Sequence, residues 1–248
     1  MKIIVLVKET FDTEAKILLE SPNNISQKDV KYIINPYDEF AIEEALRIVE
    51  KFGGEVILCS VGREDSQITI RSGLALGADR AKLIVSGATD SITVSKFLAQ
   101  SISQEGFDLI LAGWVAIDDN NAQVPARLSE LLQIPLVNVV IEIEISEDKI
   151  ICRRDSDDKI EIVETGLPAI IAVQRGINEP RYPTVKNILQ AKKKKIEFLY
   201  MEKIKEKVNI NISYDVIQSK RKGLLIDGSS PQKAVTILVE KLKEAKVL

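Results

Sequence analysis

Apolar runs and amphipathic stretches alternate along most of this chain. Five short runs consist almost entirely of apolar residues, as is typical of strands buried on both faces of a parallel sheet: residues 2–7, 55–61, 81–87, 107–112 and 167–174. Between these runs, apolar residues recur every three or four positions and predict helices at residues 36–52, 62–76, 92–103 and from near 121 to 132. This alternation predicts an α/β fold with a doubly wound, mainly parallel sheet.

Two regions depart from the alternation. Residues 10–34 have no long period and predict a short strand or hairpin over the sheet edge. Residues 135–144 predict a further strand, and residues 150–154 and 159–165 predict an antiparallel hairpin around an aspartate-rich turn. Neither region interrupts the predicted core of the fold.

The C-terminal end has a different character. Residues 205–222 show weak periodicity and predict an extended arm. Residues 229–248 predict a helix that is capped by Ser229 or Ser230, with Val235, Leu238 and Leu242 on one apolar face. We therefore expect an α/β domain at residues 1–200, followed by an arm and a helix at residues 201–248.

The first predicted helix has an informative start. Asn35 can serve as its N-cap, and Pro36 fits its first position. Asp38 and Glu39 suit the positive end of the helix dipole. In the second predicted helix, the residues expected to face partly inward are Ile68, Ile70 and Leu74.

The most informative stretch follows the fourth apolar run, where Gly113 closes the strand and a polar loop leads into a helix. The loop residues Asp118, Asp119, Asn120 and Asn121 can cap free backbone N–H groups. In a parallel sheet such a loop lies at the carboxyl edge, where ligands bind, and the N–H groups of the next helix suit a phosphate. The loop is therefore a candidate nucleotide cradle, with an ordinary capping loop as the alternative. The sequence contains neither GxGxxG nor GxxxxGK[ST] at this place.

Composition narrows the possible chemistry. The chain has 248 residues, 45% hydrophobic residues and a net charge of −3, which disfavours generic binding to nucleic acid and insertion into a membrane. Its N-terminal apolar run is too short for a signal peptide, so a cytoplasmic location is expected. Histidine is absent, which excludes triads and zinc sites built on histidine. Cys59 and Cys152 lie in apolar runs and predict core residues. No catalytic or metal-binding residue is predicted, so any chemistry must come from a bound cofactor.

Residues 181–207 form a basic segment with nine Lys or Arg against three Glu. Pro183 can start a short helix that contains Val185, Ile188 and Leu189, followed by the basic run at residues 192–195. A short exposed helix with a basic tail favours a docking role, and a solvated helix end is the alternative.

Three motifs together resemble the beta subunit of electron transfer flavoproteins: INPYDEFAIEEALR from Ile34, GWVAIDDNNAQV from Gly113 and INEPRYPTVKNILQAKKKKIE from Ile177. The match covers nearly the whole chain in order. The resemblance implies a Rossmann-like, adenine-nucleotide-binding fold and an alpha subunit that supplies most of the FAD site, with the C-terminal arm and helix packed on it. The heterodimer would carry electrons from dehydrogenases, such as acyl-CoA dehydrogenases, to a quinone reductase or another acceptor. The chain would then be an electron carrier subunit rather than an enzyme.

The resemblance also implies the positions of the cofactor-binding residues. The implied AMP site consists of Leu6, Asn35, Pro36, Tyr37, Asp38, Val61, Gly113, Trp114, Val115, Ala116, Ile117, Asp118, Asp119, Asn120, Asn121, Ala122, Gln123 and Val124. Tyr37 matches a position whose ring lies near the flavin of the partner subunit. The sequence departs from the family at Pro125, where a glycine is common, and in the form of the loop at residues 119–122.

The implied docking residues are Pro180, Arg181, Tyr182, Val185 and Ile188, with Val185 as the apolar anchor for the dehydrogenase. The basic run at residues 192–195 is expected to act by electrostatic steering. AMP is the expected nucleotide, because the docking loop has the form of conventional members and Pro125 lacks an N–H for a longer diphosphate. The alternatives are a bifurcating beta subunit with a second FAD in place of AMP, and a stand-alone adenine-nucleotide-binding protein.

Overall fold

A computed structural model of the chain describes residues 1–26, 28, 30–146, 149–201, 213–215 and 223–248. The chain divides into two units, Met1–Lys16 with Ser26–Asn211 and Ile17–Ile25 with Ile212–Leu248. The strands among the described residues are β1 (Lys2–Leu6), β2 (Glu9–Phe11), β3 (Leu19–Ser21), β4 (Asn24–Ile25), β5 (Tyr32–Ile34), β6 (Glu55–Gly62), β7 (Arg80–Val85), β8 (Leu109–Gly113), β9 (Leu136–Ile145), β10 (Ile150–Ser156), β11 (Lys159–Thr165), β12 (Ala169–Val173) and β13 (Ile196–Tyr200). The α-helices are α1 (Pro36–Phe52), α2 (Gln67–Leu76), α3 (Ser91–Ser103), α4 (Val124–Leu132), α5 (Val185–Ala191) and α6 (Pro231–Glu244).

The first unit contains one large sheet, in which nine of the described strands follow the order β11-β10-β9-β12-β8-β1-β6-β7-β13. Neighbouring strands from β9 to β13 in this order run parallel. Among these described strands, β10 runs antiparallel to β9 and to β11, and it forms the predicted hairpin with β11. The mainly parallel α/β sheet is therefore confirmed.

Helices cover both faces of this sheet. Along β1, Ile3 and Val5 lie in the core under α1 and α2, whereas Ile4 and Leu6 lie in the core under α3 and α4. Successive side chains of a strand point to opposite faces, so a run without polar interruption requires cover on both sides. The doubly wound arrangement is confirmed.

The strand order reverses beside β1. The chain passes from β1 to its neighbour β6 and on to β7, and then returns to place β8 on the other side of β1. Ligands of open parallel sheets bind outside the carboxyl ends of the strands at such a reversal. The loops that follow β1 and β8 therefore meet where a ligand site is expected.

Two helix predictions need correction. Helix α2 begins at Gln67 rather than Gly62, because β6 extends to Gly62 and Glu64–Ser66 form a 3₁₀ turn. Ile68 is 74% exposed, so the prediction that it faces inward was wrong, whereas Ile70 and Leu74 are buried. At about 3.6 residues per turn, Ile68 lies about 200° from Ile70 around the helix axis, so it falls on the outer face when Ile70 is buried.

The region between β1 and α1 contains two short antiparallel pairs, β2 with β5 and β3 with β4. The strand β13 was not predicted, and it extends the large sheet by pairing with β7. The predicted arm at residues 205–222 lies outside the described residues apart from residues 213–215. The predicted helix near the C terminus is present as α6, which contains no buried residue.

Both cysteines are buried and free, and burial raises the pKa of the Cys59 thiol to about 12. This agrees with the prediction that they are core residues. Within the ranges given above, no helix is long and apolar enough to cross a membrane, and no group of histidine, cysteine, aspartate or glutamate residues is arranged to hold a metal ion.

Candidate functional site

The carboxylate of Asp38 joins three segments at the strand-order reversal. Its Oδ2 accepts a hydrogen bond from the backbone N–H of Lys8 at 2.7 Å, and its Oδ1 accepts from the N–H of Gly113 at 3.0 Å. Oδ1 also accepts from the side-chain amide of Asn35 at 3.0 Å. Burial raises the pKa of Asp38 to about 7, against the opposing effect of these N–H donors. One buried side chain thus ties the ends of β1 and β8 to the first turn of α1.

Asn35 extends this network into the loop after β8. Its Nδ2 donates to the carbonyl of Val115 at 2.9 Å, and its Oδ1 accepts from the N–H of Ile117 at 3.2 Å. Asn35 occupies the N-cap position of α1 as predicted, but its side chain makes no capping hydrogen bond. Asn35 is 1% exposed, and its amide group bonds to Asp38 and to two loop residues 80 and 82 positions away, so it holds the loop rather than capping the helix.

Gly113 is required by close packing at the end of β8. A Cβ atom at this position would lie 2.5 Å from Oδ1 of Asp38 and 2.6 Å from Cβ of Tyr37. It would also lie 2.8 Å from the carbonyl carbon of Tyr37, which is backbone and cannot rotate away. The glycine therefore lets β8 end directly against the start of α1.

Lys8 pairs with the two acidic residues of the loop. Its Nζ donates to Asp118 at 2.8 Å and to Asp119 at 3.0 Å. Burial lowers the pKa of Lys8, but the hydrogen bonds and charges of the two aspartates outweigh it and the pKa is raised. Lys8 was not among the predicted site residues, although its place directly after the first predicted strand was the available signal.

The prediction that residues 118–121 cap the next helix was wrong. Asn120 and Ala122 have φ of 54° and 53°, in the left-handed region, so the helix cannot begin near Asn121. Helix α4 begins at Val124, and its cap residue Gln123 makes no side-chain capping bond. Asp119 instead accepts from the N–H of Asn121 at 3.1 Å, inside the loop.

The start of α4 offers backbone donors next to this loop. The N–H groups of Val124 and Ala126 belong to the first turn and have no partner within the helix, and Pro125 has no N–H. Gln123 fixes this turn, because its Oε1 accepts from Ser91 Oγ at 2.8 Å and from Arg127 Nη2 at 2.7 Å. These donors fit an anionic group, and Lys8 offsets one of the two aspartate charges beside them. Leu6 and Val61 add apolar surface at the ends of the neighbouring strands β1 and β6.

A cleft of about 530 Å³ adjoins the start of α1. It is lined by Thr13, Pro36, Tyr37, Glu39, Phe40, Leu76, Ile117, Arg175, Pro180, Arg181, Tyr182 and Pro183. The rings of Tyr37 and Trp114 meet edge to face, with centroids 6.1 Å apart, and Trp114 Nε1 donates to Gln174 at 2.9 Å. The cleft brings three expected cofactor residues together with three expected docking residues.

Helix α5 presents apolar side chains to solvent. Val185 is 75% exposed, Ile188 is 45% exposed, and Tyr182, which precedes the helix, is 93% exposed. The helix begins at Val185 rather than at Pro183, because Thr184 caps it by accepting from the N–H of Asn187 at 3.2 Å. The exposed cluster is a candidate docking surface.

The basic run after α5 is not uniformly available for steering. Lys194 turns inward, and its Nζ donates to the carbonyls of Leu74, Gly77 and Ala78 at the end of α2. This position satisfies carbonyls that have no partner inside the helix. The expected steering role is therefore corrected for Lys194, whereas Lys192, Lys193 and Lys195 remain exposed.

Comparison with known proteins identifies the family. A family model described as an electron transfer flavoprotein domain matches residues 23–200. The electron transfer flavoprotein subunit beta of Bacillus subtilis is 37% identical to the chain over the whole of both sequences. That of Syntrophomonas wolfei is 39% identical over 98% of this chain and 96% of its own, and that of Bos taurus is 35% identical over 80% and 81%. The resemblance inferred from the three motifs is confirmed, and the chain belongs to the family of electron transfer flavoprotein beta subunits.

Proposed function

We propose that this chain is the beta half of a heterodimeric electron transfer flavoprotein. It holds one AMP, contributes a wall to the FAD site of an alpha subunit, and docks dehydrogenases such as acyl-CoA dehydrogenases. A quinone reductase or another acceptor takes the electrons onward. In this proposal the chain catalyses no covalent chemistry and acts as an electron carrier subunit. The observation that carries the proposal is the convergence of the Asp38 network and the α4 donors at the strand-order reversal.

The donor set suits AMP. The first-turn N–H groups of α4 would hold the phosphate, since backbone N–H groups and the helix dipole favour an anion there. Lys8 offsets one of the two negative charges of Asp118 and Asp119, which reduces their repulsion of the phosphate. Leu6 and Val61 would contact the adenine. AMP has no reactive role in this arrangement and would stabilise the folded chain in proportion to its binding.

Ligand analysis of the heterodimer tests this assignment. The chain is co-expressed with its alpha subunit, and the purified complex is denatured and its nucleotides identified and counted. We expect one AMP and one FAD for each heterodimer. We also expect the chain purified alone to carry no flavin, because the alpha subunit holds most flavin contacts in the proposed complex. Two FAD without AMP would instead support a bifurcating subunit, and a stable monomer that binds nucleotide without a partner would support a stand-alone protein.

The cleft beside α1 is the proposed flavin-facing surface. Tyr37 lies on its wall and is held by the edge-to-face contact with Trp114. An aromatic ring in this place would cover the isoalloxazine of the FAD in the alpha subunit. The C-terminal unit would pack on the same partner, because Val235 and Leu238 of α6 are 59% and 47% exposed and need a surface to cover them.

Val185 is the proposed anchor of the docking surface. Val185→Ala removes two methyl groups, so burial in a partner pocket would be weaker by about 1.6 kcal/mol, which corresponds to about a tenfold rise in KM for the dehydrogenase. Flavin and nucleotide content should not change. The measurement is steady-state electron transfer from an acyl-CoA dehydrogenase to the heterodimer. Ile68→Ala is a matched control, because Ile68 is 74% exposed and lies on a different helix. Equal kinetics for both variants would remove Val185 from the docking surface.

A further inference from the structure

Arg181 attaches the segment before α5, residues 178–184, to helix α1. Its Nε donates to Glu43 at 2.7 Å, and its Nη1 donates to Glu50 at 2.6 Å. Glu43 and Glu50 are two helical turns apart, so the guanidinium spans a length of α1 rather than a single point. The backbone N–H of Arg181 also donates to Glu43 at 3.2 Å. Glu43 is 4% exposed, and charged hydrogen bonds are stronger where water is excluded.

A second attachment lies three residues earlier. The side-chain amide of Asn178 donates to the carbonyl of Phe40 and to the carboxylate of Glu44, both at 3.0 Å. Asn178 is 9% exposed. Asn178 and Arg181 thus contact α1, whereas Tyr182 and Val185 face solvent.

We propose that Arg181 is a positioning residue for docking: it holds the segment on α1 so that α5 presents Val185 in one orientation, and it makes no contact with the dehydrogenase itself. This inference rests on the proposed docking role of α5 and changes the role expected for Arg181 from the resemblance. A surface that is ordered before binding loses less conformational freedom when the partner arrives. Because α1 also carries Tyr37, the same attachment sets the place of α5 relative to the cleft.

Variants on α1 distinguish positioning from direct contact. Arg181→Ala and Arg181→Lys both remove the guanidinium group that bonds to Glu43 and Glu50 at once. A lysine cannot reproduce these two directed sets of hydrogen bonds. Glu50→Gln weakens the attachment from the α1 side without altering the Arg181 side chain. Any direct contact between Arg181 and the dehydrogenase would therefore be kept in this variant. Glu164→Gln is the control, because its side chain is 54% exposed and pairs with Lys149 at 2.6 Å, much like the 57% exposed Glu50. The heterodimer of each variant is assayed for KM and kcat with an acyl-CoA dehydrogenase and for hydrogen exchange of the amides of residues 182–191.

We expect Arg181→Ala to raise KM about tenfold and Glu50→Gln about threefold, with unchanged kcat and faster amide exchange in both, because each loosens the same segment. Arg181→Lys should fall between them, and Glu164→Gln should match the unaltered protein. A raised KM in Arg181→Ala with unchanged KM and exchange in Glu50→Gln would mean direct contact and overturn the proposal. If Val185→Ala has no effect on KM, the proposed docking role of α5 is wrong. The amide exchange of the Arg181 and Glu50 variants then decides by itself whether Arg181 holds the segment.

Discussion

Replacing Gly113 with alanine should lower the free energy of unfolding by about 3 kcal/mol or more, because the added methyl group overpacks a buried junction. The new Cβ would meet Oδ1 of Asp38 and the backbone of Tyr37 at distances no real Cβ tolerates. Relief requires β8 to move away from α1, which would break the N–H bond from Gly113 to Asp38. We therefore expect the variant to lose AMP as well as stability.

Thermal unfolding and nucleotide content of the heterodimer measure this effect. A loss of about 3 kcal/mol corresponds to a fall in Tm of about 6–12 °C for a chain of this size. Gly87→Ala is the matched control, because a Cβ at Gly87 would meet nothing within 4 Å. That variant should be neutral or slightly more stable, by about 0.4–1 kcal/mol, since alanine restricts the unfolded chain. Similar Tm values for the two variants would show that the junction adapts and that Gly113 is not required.

Asp38→Asn should lower the free energy of unfolding by about 2–4 kcal/mol, although the two side chains have almost the same shape. All three partners of Asp38 are N–H donors, from Lys8, Asn35 and Gly113. An asparagine offers only one acceptor oxygen, and its NH₂ group would face a donor in a buried place. One donor would thus be left unsatisfied, and the loops after β1 and β8 would separate.

Glu39→Gln is the control for this substitution. Glu39 lies in the same turn of α1, so its loss of charge affects the helix dipole equally, by about 0.3–1 kcal/mol, without touching the three bonds. Urea unfolding and AMP content of both variants give the comparison. If Asp38→Asn is no less stable than Glu39→Gln and keeps its AMP, the carboxylate does not organise the site.

The sequence was sufficient for the architecture because the core signal is local. Buried strands need continuous apolar runs, and the helices need apolar residues at three- and four-residue spacing, so both periods are visible in short windows. The reversal of strand order was not visible, since it depends on which edge of β1 receives β8. The error at Ile68 was one of local interpretation, because helical geometry places Ile68 about 200° from Ile70 but Leu74 only about 40° from it.

The sequence predicted which residues lie together in the candidate site, but not the hydrogen bonds that join them. The resemblance placed Asn35, Asp38 and Gly113 in one site, and the structure joins these three by hydrogen bonds. Their expected roles were local ones, as a helix cap, a dipole partner and a strand end. The roles differ in the fold, because a buried polar side chain must find partners wherever the chain brings them.

By itself, the sequence determined the α/β alternation, the buried strands and the membership of the family, since these depend on residue types in short, ordered patterns. Only the tertiary structure decided that Lys8 meets Asp118, that Asp38 meets Gly113 and that Arg181 meets Glu43. These partners are 110, 75 and 138 positions apart, and no local pattern marks them. The first two pairs form because a parallel sheet brings the ends of distant strands to one edge. The buried carboxylates of Asp38 and Glu43 must in addition find donors where water is excluded.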